Sequence, residues 1–73
     1  DIKAIYDRLK LISKNDWSKI FDLGEQTKIF DNLELLNLKS VQKSISRNEI
    51  VKEINVVNAL KSIKKLSKFG INY

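Results

Sequence analysis

The feature that most constrains the fold is the scarcity of residues that interrupt a regular backbone. The 73 residues include no Pro and only two Gly, at positions 24 and 70. The Asn-Gly, Asp-Gly and Pro-Gly pairs that form tight turns between strands are absent as well. Apolar residues instead recur at intervals of three and four, which is the period of an amphipathic helix. The sequence therefore predicts an all-α fold, a small bundle of three to four helices.

Two helices are predicted in the first third of the chain. An apolar stripe from Ile2 to Ile12 predicts a first helix over about residues 2 to 13. Ser13 to Asn15 interrupt this stripe and offer an N-cap for a second helix, in which Asp16 would lie in the first turn and complement the helix dipole. Gly24 lies within the second helix and predicts either a close approach of another helix or an early end.

A third helix is predicted after Asp31. Asp31 and Glu34 have the spacing of a capping box, an apolar stripe follows as far as Ile45, and Ser46 to Asn48 mark the end. The stretch from Asn32 to Arg47 also permits a helix-turn-helix, whose second helix would enter a major groove. The turn would contain no Gly, and one uninterrupted amphipathic helix explains the same apolar spacing. The uninterrupted helix is therefore the favoured interpretation.

The last segment is predicted to be helical and carries signals at both ends. Ser46 and Glu49 have the spacing of a capping box. Gly70 followed by Ile71 has the form of a Schellman ending, in which a left-handed residue closes the helix. These signals predict a helix that begins after Ser46 and ends before Gly70.

The apolar face of this last segment shifts along its length. At about 100° per residue, the apolar residues around Ile54 centre on one side, whereas those around Ile63 centre on nearly the opposite side. One straight helix would need burial on both faces. We therefore expect a kink or break near Asn55 to Asn58, where either Asn can cap a new helix. A short strand over Ile50 to Val57 is the alternative.

The length of the chain limits the size of its core. A domain of 73 residues buries only about 60% of the surface that its unfolded chain exposes, and no disulfide or Cys/His metal site reinforces this one. We expect residues 1–73 to form a single helical domain that is a fragment or module of a larger protein. Eight apolar side chains are predicted to form the core: Trp17, Ile20, Phe21, Leu35, Leu38, Ile45, Leu60 and Ile63.

No segment is predicted to enter a membrane. The chain has no run of about 18 consecutive apolar residues, and no signal-peptide pattern of a basic start, an apolar run and a small-residue cleavage site. The sequence therefore predicts no membrane partner and a cytoplasmic location.

Composition argues against catalysis. With no His and no Cys, the chain lacks the residues for a Ser-His or Cys-His nucleophile and for a tetrahedral zinc site, and its two Gly cannot form a phosphate-cradling loop. Two carboxylate pairs share predicted helix faces, Asp22 with Glu25 and Glu49 with Glu53. Such pairs among lysines are ordinarily solvated surface charge. The sequence therefore predicts that the protein is not an enzyme and uses no cofactor or small molecule.

Positive charge is concentrated in the second half of the chain. Residues 1 to 37 hold six basic and seven acidic side chains, whereas residues 38 to 73 hold eight basic and two acidic ones. Seven of these cations form two stripes at helical spacing: Lys39, Lys43 and Arg47, then Lys61, Lys64, Lys65 and Lys68. The stripes predict contacts with the phosphates of a DNA or RNA backbone, without sequence preference. Solvated lysines that complement a helix dipole explain the same pattern without a ligand.

Displaced apolar residues support a second hypothesis. A shifted face on the last segment leaves apolar side chains for a partner, and the residues beyond Gly70 would be exposed unless they fold back. The alternative function is therefore protein–protein interaction or assembly, by docking a partner helix or by dimerising. Six residues are candidate partner contacts: Ile50, Ile54, Val57, Phe69, Ile71 and Tyr73.

The order of the elements resembles a known kind of module. A helix that opens with Trp17, a basic helix and a capped last helix that ends in Phe69, Gly70 and Ile71 are similar in pattern to the helical appendages of large nucleic-acid-processing and phage-defence proteins. The resemblance implies that this domain is an appendage of such a protein.

Overall fold

The computed structural model describes all 73 residues. It contains four α-helices, α1 (Ile2–Lys10), α2 (Lys14–Thr27), α3 (Asn32–Ser46) and α4 (Glu53–Lys64), and a 3₁₀ helix over Lys65–Phe69 that continues directly from α4. No residue lies in a strand. The predicted all-α bundle is thereby confirmed. None of the helices combines the length and the apolar content that crossing a bilayer requires.

Ser13 determines where α1 ends and α2 begins. Its hydroxyl accepts a hydrogen bond from the Asp16 amide at 3.0 Å, so Ser13 is the N-cap of α2. α1 ends at Lys10, earlier than predicted, because an N-cap residue is extended and the chain must leave the helical conformation before it. Ile12 is nevertheless buried, which explains its place in the apolar stripe.

Gly24 accommodates a close neighbour and does not end its helix. α2 continues to Thr27 and is followed by Lys28, whose backbone is left-handed. Phe30 then folds back over α2, and a Cβ on Gly24 would lie 2.6 Å from Cε2 of the Phe30 ring. A close approach to Gly24 was correctly predicted, but the prediction that another helix makes it is wrong, because the close neighbour is an aromatic side chain of the following loop.

α3 is one uninterrupted helix, so the alternative of a helix-turn-helix within this stretch is wrong. Its start is the predicted capping box. The Glu34 amide donates to Asp31 Oδ1 at 2.7 Å, and the Asp31 amide donates to Glu34 Oε1 at 3.1 Å. Two amides that the helix itself leaves unpaired are therefore satisfied, which fixes the start of α3.

The end of α3 overturns the prediction of a capping box at Ser46 and Glu49. Asn48 adopts a left-handed conformation with φ of 56°, and the Glu49 amide donates to the Ser44 carbonyl at 2.9 Å. This is a Schellman arrangement in which Asn takes the place usually held by Gly. The Ser46 hydroxyl bonds within the last turn of α3 and caps no later helix.

The structure also overturns the prediction of a kink or break near Asn55 to Asn58. α4 passes through these residues without interruption, and the break lies earlier, at residues 47–52. Ile50 and Val51 therefore lie outside the helix, so a straight α4 no longer needs burial on two faces. The alternative of a strand in this stretch is also wrong.

The core lies where α4 packs against α3 and α1. Eleven apolar residues are buried in it: Leu9, Ile12, Trp17, Ile20, Phe30, Leu38, Val41, Val56, Ala59, Ile63 and Leu66. Four of the eight predicted core residues are among them, and the other four are half-buried: Phe21, Leu35, Ile45 and Leu60. The rings of Trp17 and Phe21 stack at a centroid distance of 5.8 Å.

α3 and α4 run antiparallel to each other. The Asn37 side-chain amide donates to the Asn55 carbonyl at 3.1 Å, and the Ser62 hydroxyl donates to Glu34 Oε2 at 3.3 Å. Earlier residues of α3 therefore face later residues of α4, as expected for neighbouring helices joined by a short connection. This orientation places the end of α4 beside the start of α3.

The predicted Schellman ending at Gly70 is confirmed. Gly70 is left-handed with φ of 78°, and the Ile71 amide donates to the Leu66 carbonyl at 3.3 Å. The turn directs the last residues back onto the bundle, where Ile71 and Tyr73 lie half-buried against the core. Burial, and to a smaller extent the Asp16 carboxylate, raises the pKa of the Tyr73 hydroxyl.

Candidate functional site

The first basic stripe lies along the exposed side of α3. Lys39, Lys43 and Arg47 follow one another by one helical turn, and the buried Leu38 lies on the inner side of the helix. Arg47 pairs with Glu49 at an N to O distance of 3.7 Å, but both side chains are more than half exposed, so the pair is weak. Lys39 and Lys43 have no salt-bridge partner.

The second basic stripe borders two clefts, one on each side of α4. Lys61 and Lys65 line a groove between α3 and α4. Lys64 instead lines a separate cleft, which it shares with Arg8 of α1 and with the C-terminal residues. Lys68 is exposed on the 3₁₀ helix. All four cations are therefore exposed along the end of α4 and the 3₁₀ helix, and they border two different clefts.

Glu34 connects the start of α3 with the second basic stripe. Its carboxylate forms an ion pair with Lys65 and accepts a hydrogen bond from the Ser62 hydroxyl. The hydrogen bond from Lys65 holds the pKa of the Glu34 carboxyl below its ordinary value, although partial burial opposes this shift. Because Lys65 already has a partner, it is the least available of the four cations for an external anion.

The groove between α3 and α4 is an open site of about 330 Å³. Its floor is polar, since Glu34 and Asn37 are half-buried and Ser62 is buried. Its rim carries one large aliphatic side chain and two lysines. The lining residues are Leu33, Glu34, Asn37, Asn58, Lys61, Ser62 and Lys65.

Three large aliphatic side chains of α3 and α4 are exposed, and one of them, Leu33, lines this groove. On α3, Leu33 is 78% exposed, and Leu36, one turn later, is 64% exposed. On α4, Ile54 is 61% exposed and lies one turn before Asn58, on the same face of the helix. Ile54 is one of the predicted partner contacts, whereas Leu33 and Leu36 were not predicted from the sequence. Their position outside the apolar stripe of α3 is the signal that identifies them.

The other predicted partner contacts differ in exposure. Ile50 is 100% exposed in the loop after α3, and Phe69 is exposed on the 3₁₀ helix. Val57 is half-buried. Ile71 and Tyr73 are half-buried as well, because the Schellman turn folds the C-terminus back onto the core.

A second groove lies beside Ile50, between α1 and the loop of residues 47–52. It is mostly apolar and has a volume of about 300 Å³. The Tyr6 hydroxyl donates to the Glu49 carbonyl at 3.3 Å and so ties the loop to α1. The lining residues are Ile2, Lys3, Tyr6, Asn48, Glu49, Ile50, Val51 and Val56.

Known proteins give no indication of what this domain binds. No protein-family model matches the chain, and no curated protein or solved structure matches it significantly. No three His, Cys, Asp or Glu side chains are arranged to hold a metal ion. What the domain binds is therefore inferred from its cations and its exposed apolar side chains.

Proposed function

We propose that the domain is a binding module without catalytic activity that holds DNA or RNA through contacts with the phosphate backbone. The observation that supports this most directly is that most of its candidate cations are unpaired. Five of the seven predicted phosphate-binding side chains are exposed and have no salt-bridge partner: Lys39, Lys43, Lys61, Lys64 and Lys68.

Unpaired lysines favour a polyanionic ligand for a physical reason. A cation that is paired with a carboxylate must give up that contact before it binds phosphate, as Lys65 would have to leave Glu34. A free ammonium group gives up only water, and the phosphates that it neutralises release their condensed counterions. The five lysines lie on α3, α4 and the 3₁₀ helix. The proposed contacts are with phosphates, which position a backbone and carry no base sequence.

The resemblance to helical appendages supports a place for this domain in a larger nucleic-acid-processing or defence protein. There, a sequence-independent contact would keep the nucleic acid close to another domain. Modest affinity is sufficient for that role, because a tethered domain acts at a high effective concentration.

Replacing the five unpaired lysines with Gln tests the proposal. If all five contact duplex DNA, the slope of log affinity against log salt should fall by about 4 to 5 units, because each neutralised phosphate contributes about 0.9. The anisotropy of a fluorescent duplex, measured across a salt series, gives the slope. Helicity should be retained, because Gln is nearly as good a helix former as Lys.

The matched control replaces five exposed lysines of the first half with Gln: Lys3, Lys10, Lys14, Lys19 and Lys28. Both variants lose the same charge, so a difference in slope reports where the charges lie. Equal slopes would contradict the assignment of the site. An unaltered domain with no affinity for duplex or single strands at low salt would contradict nucleic-acid binding altogether.

Exposed apolar side chains favour protein–protein interaction or assembly as a second candidate function. Ile50 is completely exposed, and Ile54 and Phe69 are exposed as well. Exposed apolar side chains are typical of interaction surfaces where they form a contiguous patch. Sedimentation across a range of protein concentrations tests the dimer form of this function, since a mass that rises with concentration supports it and a constant monomer mass contradicts it.

A further inference from the structure

We infer that the cleft between α1 and the C-terminal residues, which Arg8 and Lys64 line, binds the terminal phosphate of a nucleic-acid strand. This inference rests on the proposed function, binding of a DNA or RNA backbone, and adds to it a site that takes the end of a strand. The cleft has a volume of about 300 Å³. Its lining residues are Arg8, Ile63, Lys64, Ser67, Ile71, Asn72 and Tyr73.

The cleft brings together two cations that are distant in sequence. Arg8 lies on α1 and Lys64 lies on α4, and the packing of these two helices places both side chains at one cleft. Neither cation has a salt-bridge partner, and no acidic side chain lines the cleft. An anion that enters the cleft therefore has to displace only water from the two cations.

The helix dipoles account for only part of this positive charge. Arg8 is in the last turn of α1 and Lys64 is in the last turn of α4, where a helix end carries about half a negative elementary charge. Two such ends offset about one of the two positive charges. The remaining positive charge favours an anionic ligand.

The polar lining residues suit a terminal phosphate better than an internal one. A phosphate monoester carries a charge of about −1.5 to −2 near neutral pH, whereas a phosphate within a strand carries a single negative charge. Arg donates two parallel hydrogen bonds to phosphate oxygens, and Lys adds a compact positive charge. The Ser67 hydroxyl and the Asn72 side-chain amide supply further donors at the same cleft.

The apolar part of the cleft suits the nucleotide that carries this phosphate. Ile63 is buried, and Ile71 and Tyr73 are half-buried against the core. Aromatic rings stack on bases without sequence preference, so the Tyr73 ring is assigned to the terminal base. The Tyr73 hydroxyl is not counted among the phosphate donors, because burial and the nearby Asp16 carboxylate, which raise its pKa, both oppose an anion beside it.

Three single strands of one sequence test the site, each about 12 nucleotides long, a length within the range of single-strand sites. One strand carries a 5′-phosphate, one carries a 3′-phosphate and one carries neither. Fluorescein at an internal position leaves both ends free, and its anisotropy measures the affinity. At low salt the domain should bind one of the phosphorylated strands at least about fivefold more tightly than the strand without a terminal phosphate.

Arg8→Gln and a matched control test whether this preference arises in the cleft. Arg8 is not among the residues assigned to backbone contacts, so Arg8→Gln should reduce the preference to less than about twofold and change the affinity for the unphosphorylated strand by less than about twofold. Lys10→Gln removes the same charge from the same turn of α1 but does not line the cleft, so it should keep the preference. Circular dichroism checks that both variants keep their helices.

Competition separates the possible sources of the phosphate. A nucleoside monophosphate, phosphorylated at the preferred end, should displace the strand at a lower concentration than inorganic phosphate, because the base adds contacts with the apolar residues. Inorganic phosphate that competes equally well would overturn the assignment to a strand end.

Equal affinities for the three strands would also overturn the inference, as would an equal loss of preference in Arg8→Gln and Lys10→Gln. Both results leave the salt slope of the five-lysine variant as a separate measure of backbone binding. Failure of the cleft is thereby distinguished from failure of the proposed function, whereas a domain that binds none of the strands would contradict both.

Discussion

The two loops that flank α3 differ in how firmly they are held. The loop of residues 28–31, between α2 and α3, buries Phe30 against Gly24. The loop of residues 47–52, between α3 and α4, leaves Ile50 completely exposed. One connection therefore buries a large aromatic side chain in the core, whereas the other contributes only the half-buried Val51.

The helix starts that follow these loops differ in the same way. α3 begins with the capping box of Asp31 and Glu34, whereas the N-cap of α4, Lys52, makes no side-chain hydrogen bond. Lys is a poor N-cap, because it has no acceptor and its charge opposes the helix dipole. A loop that carries its own cap and its own buried anchor is thus specified locally, and a loop without them depends on the packing around it.

The largest expected effect is a difference in how much the two loops contribute to the free energy of unfolding. Phe30→Ala leaves a cavity beside Gly24 and should lower the free energy of unfolding by about 3 to 5 kcal/mol, a large share of the total for a small domain. Ile50→Ala removes a solvated side chain and should change the free energy of unfolding by less than about 0.5 kcal/mol. Denaturant unfolding followed by the fluorescence of Trp17 measures both variants. Similar losses in the two variants would remove the distinction between the loops.

A double-mutant cycle provides the control for this prediction. Gly24→Ala alone should destabilise the domain, because the new Cβ would collide with the Phe30 ring even though Ala is the better helix former. In the Phe30→Ala background the ring is absent, and Gly24→Ala should be neutral or stabilising. The same cost in both backgrounds would show that the ring does not hold this loop in place.

The same comparison explains which parts of the fold could be predicted. The start of α3 was recognisable because Asp31 and Glu34 fix it by hydrogen bonds within four residues. The start of α4 was misplaced because Ser46 and Glu49 have capping-box spacing, while Asn48 between them adopts the left-handed conformation that ends α3. The local sequence is compatible with both arrangements, and the packing of α4 against α3 decides between them.

The second prediction changes the caps of the two helix starts in opposite directions. Asp31→Ala removes the cap of α3 and should cost about 1 to 2 kcal/mol. Lys52→Ser supplies an acceptor at the start of α4 and should gain about 0.5 to 1 kcal/mol. Thermal unfolding should show opposite shifts of the midpoint, of about 4 to 8 °C per kcal/mol. A Lys52→Ser variant that is less stable than the parent would contradict a start of α4 at Glu53.

The candidate site could be predicted only in part. The exposed lysines were found because they lie opposite apolar residues at helical spacing. The pairing of Lys65 with Glu34 was not predicted, because residues 31 positions apart meet only through the antiparallel packing of α3 and α4. Leu33 and Leu36 were overlooked because apolar residues are assigned to the core by default, although a surface helix buries only one face.

The smallest expected effect on stability concerns two ion pairs, one at each end of α3. Lys65 lowers the pKa of Glu34 from its ordinary value of 4.5, so this pair stabilises the folded state at neutral pH. The contribution is fully present above the pKa of the unfolded chain and should be lost as pH falls through the lowered pKa, below 4.5. Glu34→Gln removes the charge and keeps the capping-box geometry, so it should cost about 0.5 kcal/mol near neutral pH and less in acid.

Glu49→Gln is the matched control for Glu34→Gln, because it breaks the pair with Arg47 at the other end of α3. Both partners of that pair are more than half exposed, and the pair joins residues of the same loop, so no measurable change in stability is expected at any pH. The free energy of unfolding of the parent and both variants, measured from about pH 7 down to about pH 3, separates the two pairs. If the parent and Glu34→Gln lose stability with the same slope in acid, Lys65 does not stabilise the ionised Glu34. The start of α3 would then be no more firmly tied to α4 than the loop at its end.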